Sequence, residues 1–196
     1  VGPACNLQCS YCYYLDKSEL YPGTSLFRMP EELLERYISD HFEATTEDTV
    51  FFSWHGGEPL LAGIDLYRKA VAFQKKCNTG GRRSLNGIQT NGTLLDEEWC
   101  RFMKEEGFII GISIDGPEEL HNAHRLDRKG KGSFNRVTRG LQLLHDYGIT
   151  FEILCVIHAL NVSYPLEVYH FFKQMGARYI TFLPLVQHIP DLTEDV

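Results

Sequence analysis

Cys5-Asn6-Leu7-Gln8-Cys9-Ser10-Tyr11-Cys12 is the stretch around which the chain reads. Its three cysteines are spaced C-x3-C-x2-C, and two further tyrosines, Tyr13 and Tyr14, follow. Three thiolates on one short loop can converge on a single inorganic centre. Iron–sulfur clusters are normally held by four cysteines. Three leave one metal corner without a protein ligand, and an open corner is where a metal site can act on a small molecule. Two plainer readings stand beside this one. A structural zinc site would want a fourth ligand close in sequence, and the nearest histidine is His41. The thiols could also be inert core residues.

Working outward, the totals bound the possibilities. The chain has 196 residues, enough for one domain with a real core. Its hydrophobic fraction of 43% and charged fraction of 23% are ordinary for a globular protein. A net charge of −7 argues against a nucleic-acid partner, whose footprint would be basic. No apolar run reaches the length of a membrane span, so no membrane partner is expected. Cys77, Cys100 and Cys155 are scattered and read as core or helix residues, which fits a reducing, cytoplasmic setting.

After the cysteines, Asp16 to Thr24 reads as loop around Pro22-Gly23. Pro30-Glu31-Glu32 opens a helix, with acids near the positive end of its dipole. Leu33, Leu34, Tyr37, Ile38 and Phe42 give that helix an apolar face. Thr49 to Trp54 is rich in β-formers and predicts a strand. The unit then repeats. Helices are predicted over 64–77, from Asp96 to about Glu106, from Ser133 as a cap, and from Pro165 to a stop at Gly176. Strands are predicted at Leu85–Thr90, Phe108–Ile114, Thr150–Ile157 and Tyr179–Leu183. A long loop separates the third strand from the helix at Ser133. No strand shows clean polar alternation, which predicts burial on both faces and a parallel sheet. The cysteine loop needs a further strand feeding into it, and the sequence begins too late to contain most of one.

The distinctive polar clusters follow the strands directly. His55-Gly56-Gly57-Glu58 follows the first, Gln89-Thr90-Asn91-Gly92 closes the second, and Ser113 and Asp115 end the third. In parallel α/β barrels the site is built at the carboxyl ends of the strands, so these clusters should share a rim with the cysteine loop. Gly56-Gly57 lets backbone approach a ligand, or else makes a tight turn before Pro59. Glu58 offers a carboxylate to an ammonium group. Asn91-Gly92 is a turn or part of a site. Ser113 is an inward hydroxyl or a satisfied strand serine. His121, His124 and Arg125 read as a solvated face, except that a guanidinium recognises a carboxylate well.

These stretches together resemble the anaerobic sulfatase-maturating enzymes, of the SPASM group of the radical S-adenosylmethionine (SAM) superfamily. The resemblance is carried by CNLQCSYCYYLDK (5–17), FSWHGGEPLLAG (52–63), IQTNGTLLDEEWC (88–100), IGISIDGPEELHNAHR (110–125), GKGSF (130–134), FEILCVI (151–157), YPLEVYHFFK (164–173) and FLPLV (182–186). It implies an α/β fold, a partial (β/α)6 barrel of parallel strands, with residues 1–196 forming the core domain. It implies a [4Fe–4S] cluster on Cys5, Cys9 and Cys12, whose open iron takes SAM. It implies SAM contacts from Tyr11, Gly57, Glu58, Ser113, Arg125 and Val186, and substrate contacts from Tyr14, His55 and Gln89. The implied reaction oxidises an active-site cysteine or serine of a sulfatase to 3-oxoalanine (formylglycine). A reduced ferredoxin or flavodoxin would be the electron donor. Other readings are a crosslink-forming maturase of the same group and a non-catalytic redox regulator. In the family a cysteine-rich domain with two auxiliary clusters supplies the proposed base. Neither is expected within these residues, so no catalytic residue is assigned and the sequence reads as a fragment.

Overall fold

The computed structural model describes residues 2–18, 20 and 29–186. Five strands, β1 (Thr49–Trp54), β2 (Arg83–Thr90), β3 (Ile109–Ser113), β4 (Phe151–Ile157) and β5 (Tyr179–Pro184), form one sheet in sequence order. Every neighbouring pair is parallel. Parallel neighbours need a crossover, and helices supply each one. α3 (Ile64–Cys77) joins β1 to β2, and α4 (Glu97–Glu105) joins β2 to β3. α5 (Glu118–Asn122) and α6 (Phe134–Asp146) join β3 to β4, and α7 (Pro165–Gln174) joins β4 to β5. α1 (Tyr14–Ser18) and α2 (Glu31–Ala44) precede the sheet. This order is that of a barrel wall laid strand after strand.

The helices cover one face of the sheet. Leu34, Ile38 and Phe42 of α2, Tyr67 of α3, Trp99 and Met103 of α4, Leu141 of α6 and Phe172 of α7 pack in one core with Phe52, Ile88, Ile110, Ile112 and Ile153 from the strands. Fully burying such a side chain contributes roughly 1.5–3 kcal/mol each. A buried polar pair, Asn86 and Gln74, sits in this layer. Asn86 of β2 accepts from the Trp54 indole at 2.9 Å and exchanges two bonds with the Gln74 amide.

Four expectations need correction. β1 alternates in burial, with Phe52 buried and Phe51 47% exposed, so it does not bury both faces. Leu33 and Tyr37 of α2 also lie exposed, because the helix presents only its 34–38–42 stripe to the sheet. The expected loop at 16–24 begins inside α1, and its later part, apart from Leu20, lies outside the described residues. Ser133 does not cap α6 through its side chain. Its hydroxyl donates instead to the Arg125 carbonyl at 2.7 Å. Asp96, by contrast, caps α4 as expected, accepting from Trp99 N–H at 2.9 Å.

Candidate functional site

The cysteine loop lies across the carboxyl ends of β1, β2 and β3, and named bonds tie it to each. Behind β1, Gly57 N–H donates to Gly2 O at 3.0 Å and Glu58 N–H to Ala4 O at 2.8 Å. The segment entering the loop thus runs alongside the turn that leaves β1. The position a Gly57 Cβ would take is 2.3 Å from the carbonyl oxygens of both Pro3 and Ala4. Gly57 therefore admits this chain's own backbone, a reason for glycine that the ligand-approach reading had not foreseen.

At the end of β2, Asn91 is buried and its amide donates to Asn6 Oδ1 at 2.9 Å and to Cys5 Sγ at 3.7 Å. Asn6 donates in turn to Thr93 Oγ1 at 2.8 Å. Glu58 braces the same strand end. Its carboxylate is 2% exposed and accepts from Leu60 N–H, Thr90 Oγ1 and Asn91 N–H at 2.7–2.9 Å. Burial raises its pKa, against the pull of those three bonds. The Glu58 carboxylate is thus engaged by its own chain.

At the end of β3 stands Asp115, fully buried. It accepts from Arg125 Nε at 2.8 Å and Nη2 at 3.0 Å, from Val156 N–H at 3.0 Å, and from the Tyr11 hydroxyl. Burial alone would lift its carboxyl, but the Arg125 guanidinium overcomes that and holds it below the usual range. The guanidinium also lies 5.5 Å from the Tyr11 ring centre. Asp115, placed by the sequence among the strand-end polar residues, clamps loop, strand and arginine together. His121, expected in solvent, is fully buried behind it. Its Nδ1 accepts from Asp115 N–H at 3.3 Å and its Nε2 meets Ser133 Oγ at 2.9 Å. The signal in the sequence was slight: a strand-end aspartate ten residues before an arginine.

The loop's other edge pairs with the segment after α5. Gln8 N–H donates to Leu126 O at 2.7 Å, Ser10 N–H to His124 O at 3.1 Å, and Arg128 Nη2 to Cys5 O at 3.0 Å. Cys9 is buried while Cys5 and Cys12 are half-buried, and none forms a disulfide. Burial pushes the Cys9 thiol up to about 12, with Arg125 pulling the other way. Burial also raises Cys5, against donors from Leu7 N–H at 3.4 Å and Asn91.

Among the described residues no three Cys, His, Asp or Glu side chains gather tightly enough for one metal ion. A [4Fe–4S] cluster would take one thiolate at each of three iron corners. N–H groups aimed at Cys5 and a fixed cation near Cys9 suit anionic sulfurs. A cavity of about 360 Å³ opens between Cys5, Cys12, Tyr14 and Arg128. The residues present fit an iron–sulfur cluster. A larger cavity, about 540 Å³, is lined by Phe108, Ile109, Phe151 and Tyr179 at the amino ends of β3–β5, the far end of the sheet from the cysteines.

The remaining expected residues divide into two groups. Tyr14 and His55 come together, with Tyr14 Oη 3.1 Å from His55 Nδ1; burial lowers the His55 pKa, and the Gln89 side chain pulls the other way. Tyr14 and His55 border a further cavity of about 260 Å³ with Lys17 and Gly56. Ser113 ends β3, half-buried. Val186 is 87% exposed just beyond β5, where Leu185 N–H donates to Ile157 O at 2.9 Å. No helix among the described residues is long and apolar enough to cross a membrane.

Comparison with known proteins agrees with this geometry. The family model for the radical SAM superfamily matches residues 1–172. A serine-type anaerobic sulfatase-maturating enzyme of Bacteroides thetaiotaomicron is 44% identical over 189 residues, covering 96% of this chain and 45% of that protein. A cysteine-type enzyme of Clostridium novyi is 38% identical over 190 residues, covering 97% and 50%. The solved structure of native anSMEcpe with bound AdoMet and the Kp18Cys peptide superposes with a TM-score of 0.88 at 32% identity, covering 100% of this chain and 53% of that one. The chain spans about half the length of these relatives. A sheet of consecutive parallel strands, a three-cysteine loop pinned across their carboxyl ends and a family model running from the first residue into α7 lead to one assignment: the chain belongs to the radical SAM superfamily.

Proposed function

We propose that this chain carries the SAM-dependent half of an anaerobic sulfatase maturase, oxidising a cysteine or serine of a sulfatase to 3-oxoalanine. The observation that supports this most is the identity of 44% with a serine-type and 38% with a cysteine-type maturase over 96% and 97% of this chain. Residues 1–196 are read as one radical SAM core. A reduced ferredoxin or flavodoxin supplies electrons, and the reducing cytoplasm is the setting in which free thiols persist.

Cys5, Cys9 and Cys12 would hold the [4Fe–4S] cluster. With SAM bound, the cluster supplies one electron that cleaves SAM and so allows a hydrogen atom to be taken from the target side chain. The protein's part is placement. Asn91 and Leu7 N–H donate toward Cys5, and Arg125 sets a positive charge near Cys9. Asp115 neutralises and orients that arginine and holds Tyr11 by its hydroxyl. Ser113, Arg125, Gly57 and Glu58, with Tyr11 and Val186, would make the contacts to SAM. Tyr14, His55 and Gln89 would face the peptide; a peptide is bound in the anSMEcpe structure.

The test is mass spectrometry of a sulfatase peptide incubated anaerobically with SAM, dithionite and the full-length protein. An aldehyde is expected: a serine target loses two hydrogens, and a cysteine target loses two hydrogens and exchanges its sulfur for an oxygen from water. A thioether or carbon–carbon crosslink, or SAM cleavage that never depends on peptide, would overturn the assignment.

A further inference from the structure

His158 follows the last residue of β4 and is 4% exposed. Its Nδ1 accepts from the backbone N–H of Leu160 at 3.3 Å and of Asn161 at 3.4 Å. A neutral imidazole that accepts at Nδ1 carries its proton on Nε2. That Nε2 is buried and meets no partner among the described residues. Buried donors are nearly always satisfied, so an orphan marks a place where something else binds. The other such atom, Ser84 Oγ, lies toward the amino end of β2, away from the cysteines.

The surroundings of the ring say what that partner is. Its centre lies 4.3 Å from the His124 ring and 6.2 Å from the Tyr11 ring, the latter nearly parallel. Leu185 N–H on Ile157 O brings Val186 alongside, and Val156 N–H on Asp115 ties β4 to the end of β3. His158 thus stands on the rim shared by the ends of β3, β4 and β5 and the cysteine loop. Three of the residues read above as SAM contacts border the same rim: Tyr11, Ser113 and Val186. A single neutral N–H among aromatic rings suits a neutral acceptor, a ring nitrogen or a ribose oxygen. It suits neither an ammonium, which has no lone pair to offer, nor a carboxylate, which favours a cation.

We propose that His158 is a SAM-binding residue whose Nε2–H donates to an acceptor on the adenosine portion of the ligand. The inference rests on the SAM-binding reading of the site and adds a residue to it. Two variants of the cluster-loaded protein test it. His158→Phe keeps a ring beside Tyr11 and His124 and removes the N–H. His158→Gln returns an amide N–H at about the reach of Nε2. Both lose Nδ1, so their difference isolates the orphan donor. Titration calorimetry with SAM should show about a tenfold loss of affinity in His158→Phe, largely regained in His158→Gln. Affinity for methionine alone should not change in either. A His158→Phe protein that binds SAM as wild type does would overturn the inference. So would parallel losses for SAM and methionine, or a Gln variant as weak as Phe. Wild-type protein that binds no SAM at all would instead sink the functional reading, and this inference with it.

Discussion

Arg125 and Asp115 face each other with two parallel hydrogen bonds, Nε to Oδ2 at 2.8 Å and Nη2 to Oδ1 at 3.0 Å, both side chains shut away from solvent. A buried ion pair is not by itself a source of stability, but breaking one strands the remaining charge. Asp115→Ala should therefore cost about 3–5 kcal/mol, measured as a fall in the urea midpoint. It should also release Tyr11 and loosen the cysteine loop. A loss below about 1 kcal/mol would show that water or another group compensates Arg125.

Gly57 and Gly63 make a controlled pair. Gly63 has φ +82° and ψ 149° but nothing within 4 Å of a Cβ position, so Gly63→Ala should cost about 1–3 kcal/mol of backbone strain and leave the site alone. Gly57→Ala meets backbone oxygens at 2.3 Å, which cannot rotate aside. The entry to the cysteine loop must shift. Far-ultraviolet circular dichroism should stay native while cluster loading falls severalfold. Full cluster loading in Gly57→Ala would show that residues 2–4 move freely.

The sheet was legible because it rests on period and punctuation. β1 was placed to the residue, and the other four strands to within two. Gathering the polar clusters at one rim was legible for the same reason, since parallel strands put all their carboxyl ends together. What stayed hidden were roles set by a partner far along the chain. Asn91 looks like the first half of an Asn-Gly turn until Asn6 is beside it. Glu58 looks free until Thr90 and Asn91 bond to it. His121, His124 and Arg125 look like a charged helix face. Only the tertiary fold shows that His121 of α5 and Arg125 just after it turn inward against Asp115. β1 defied its pattern because Phe51 faces the side that no helix covers.

Acid should act first through His121. Burial, helped by the Arg125 charge, pushes its pKa down to about 3, against about 6.5 in the unfolded chain. Between those values the unfolded state binds a proton that the native state refuses. Its contribution is thus fully present above pH 6.5 and is lost as pH falls toward 3, at up to about 1.4 kcal/mol per pH unit. The depressed carboxyl of Asp115 adds its own loss only below about pH 4. Urea unfolding of wild type and His121→Gln from pH 7 to 4.5 should give a steeper slope for wild type. Equal slopes would mean that His121 is protonated in the folded protein.

Tyr14 touches His55 through its hydroxyl at 3.1 Å, on the wall read as facing the peptide. Tyr14→Phe removes about 1 kcal/mol of positioning. The peptide KM should rise about fivefold, with SAM cleavage in the absence of peptide unchanged. An equal fall in peptide-free cleavage would move Tyr14 to the SAM side of the site.

Iron content after anaerobic reconstitution addresses the three-cysteine loop most directly. Wild-type protein should take up about four irons per chain with matching sulfide, show the broad visible absorption of a [4Fe–4S] centre, and release 5′-deoxyadenosine from SAM under dithionite. Cys9→Ala should lose all three signals, and Cys100→Ala, on the buried face of α4, should keep them. Wild-type levels of iron and sulfide in a protein with Cys5, Cys9 and Cys12 all changed to alanine would contradict the assignment outright.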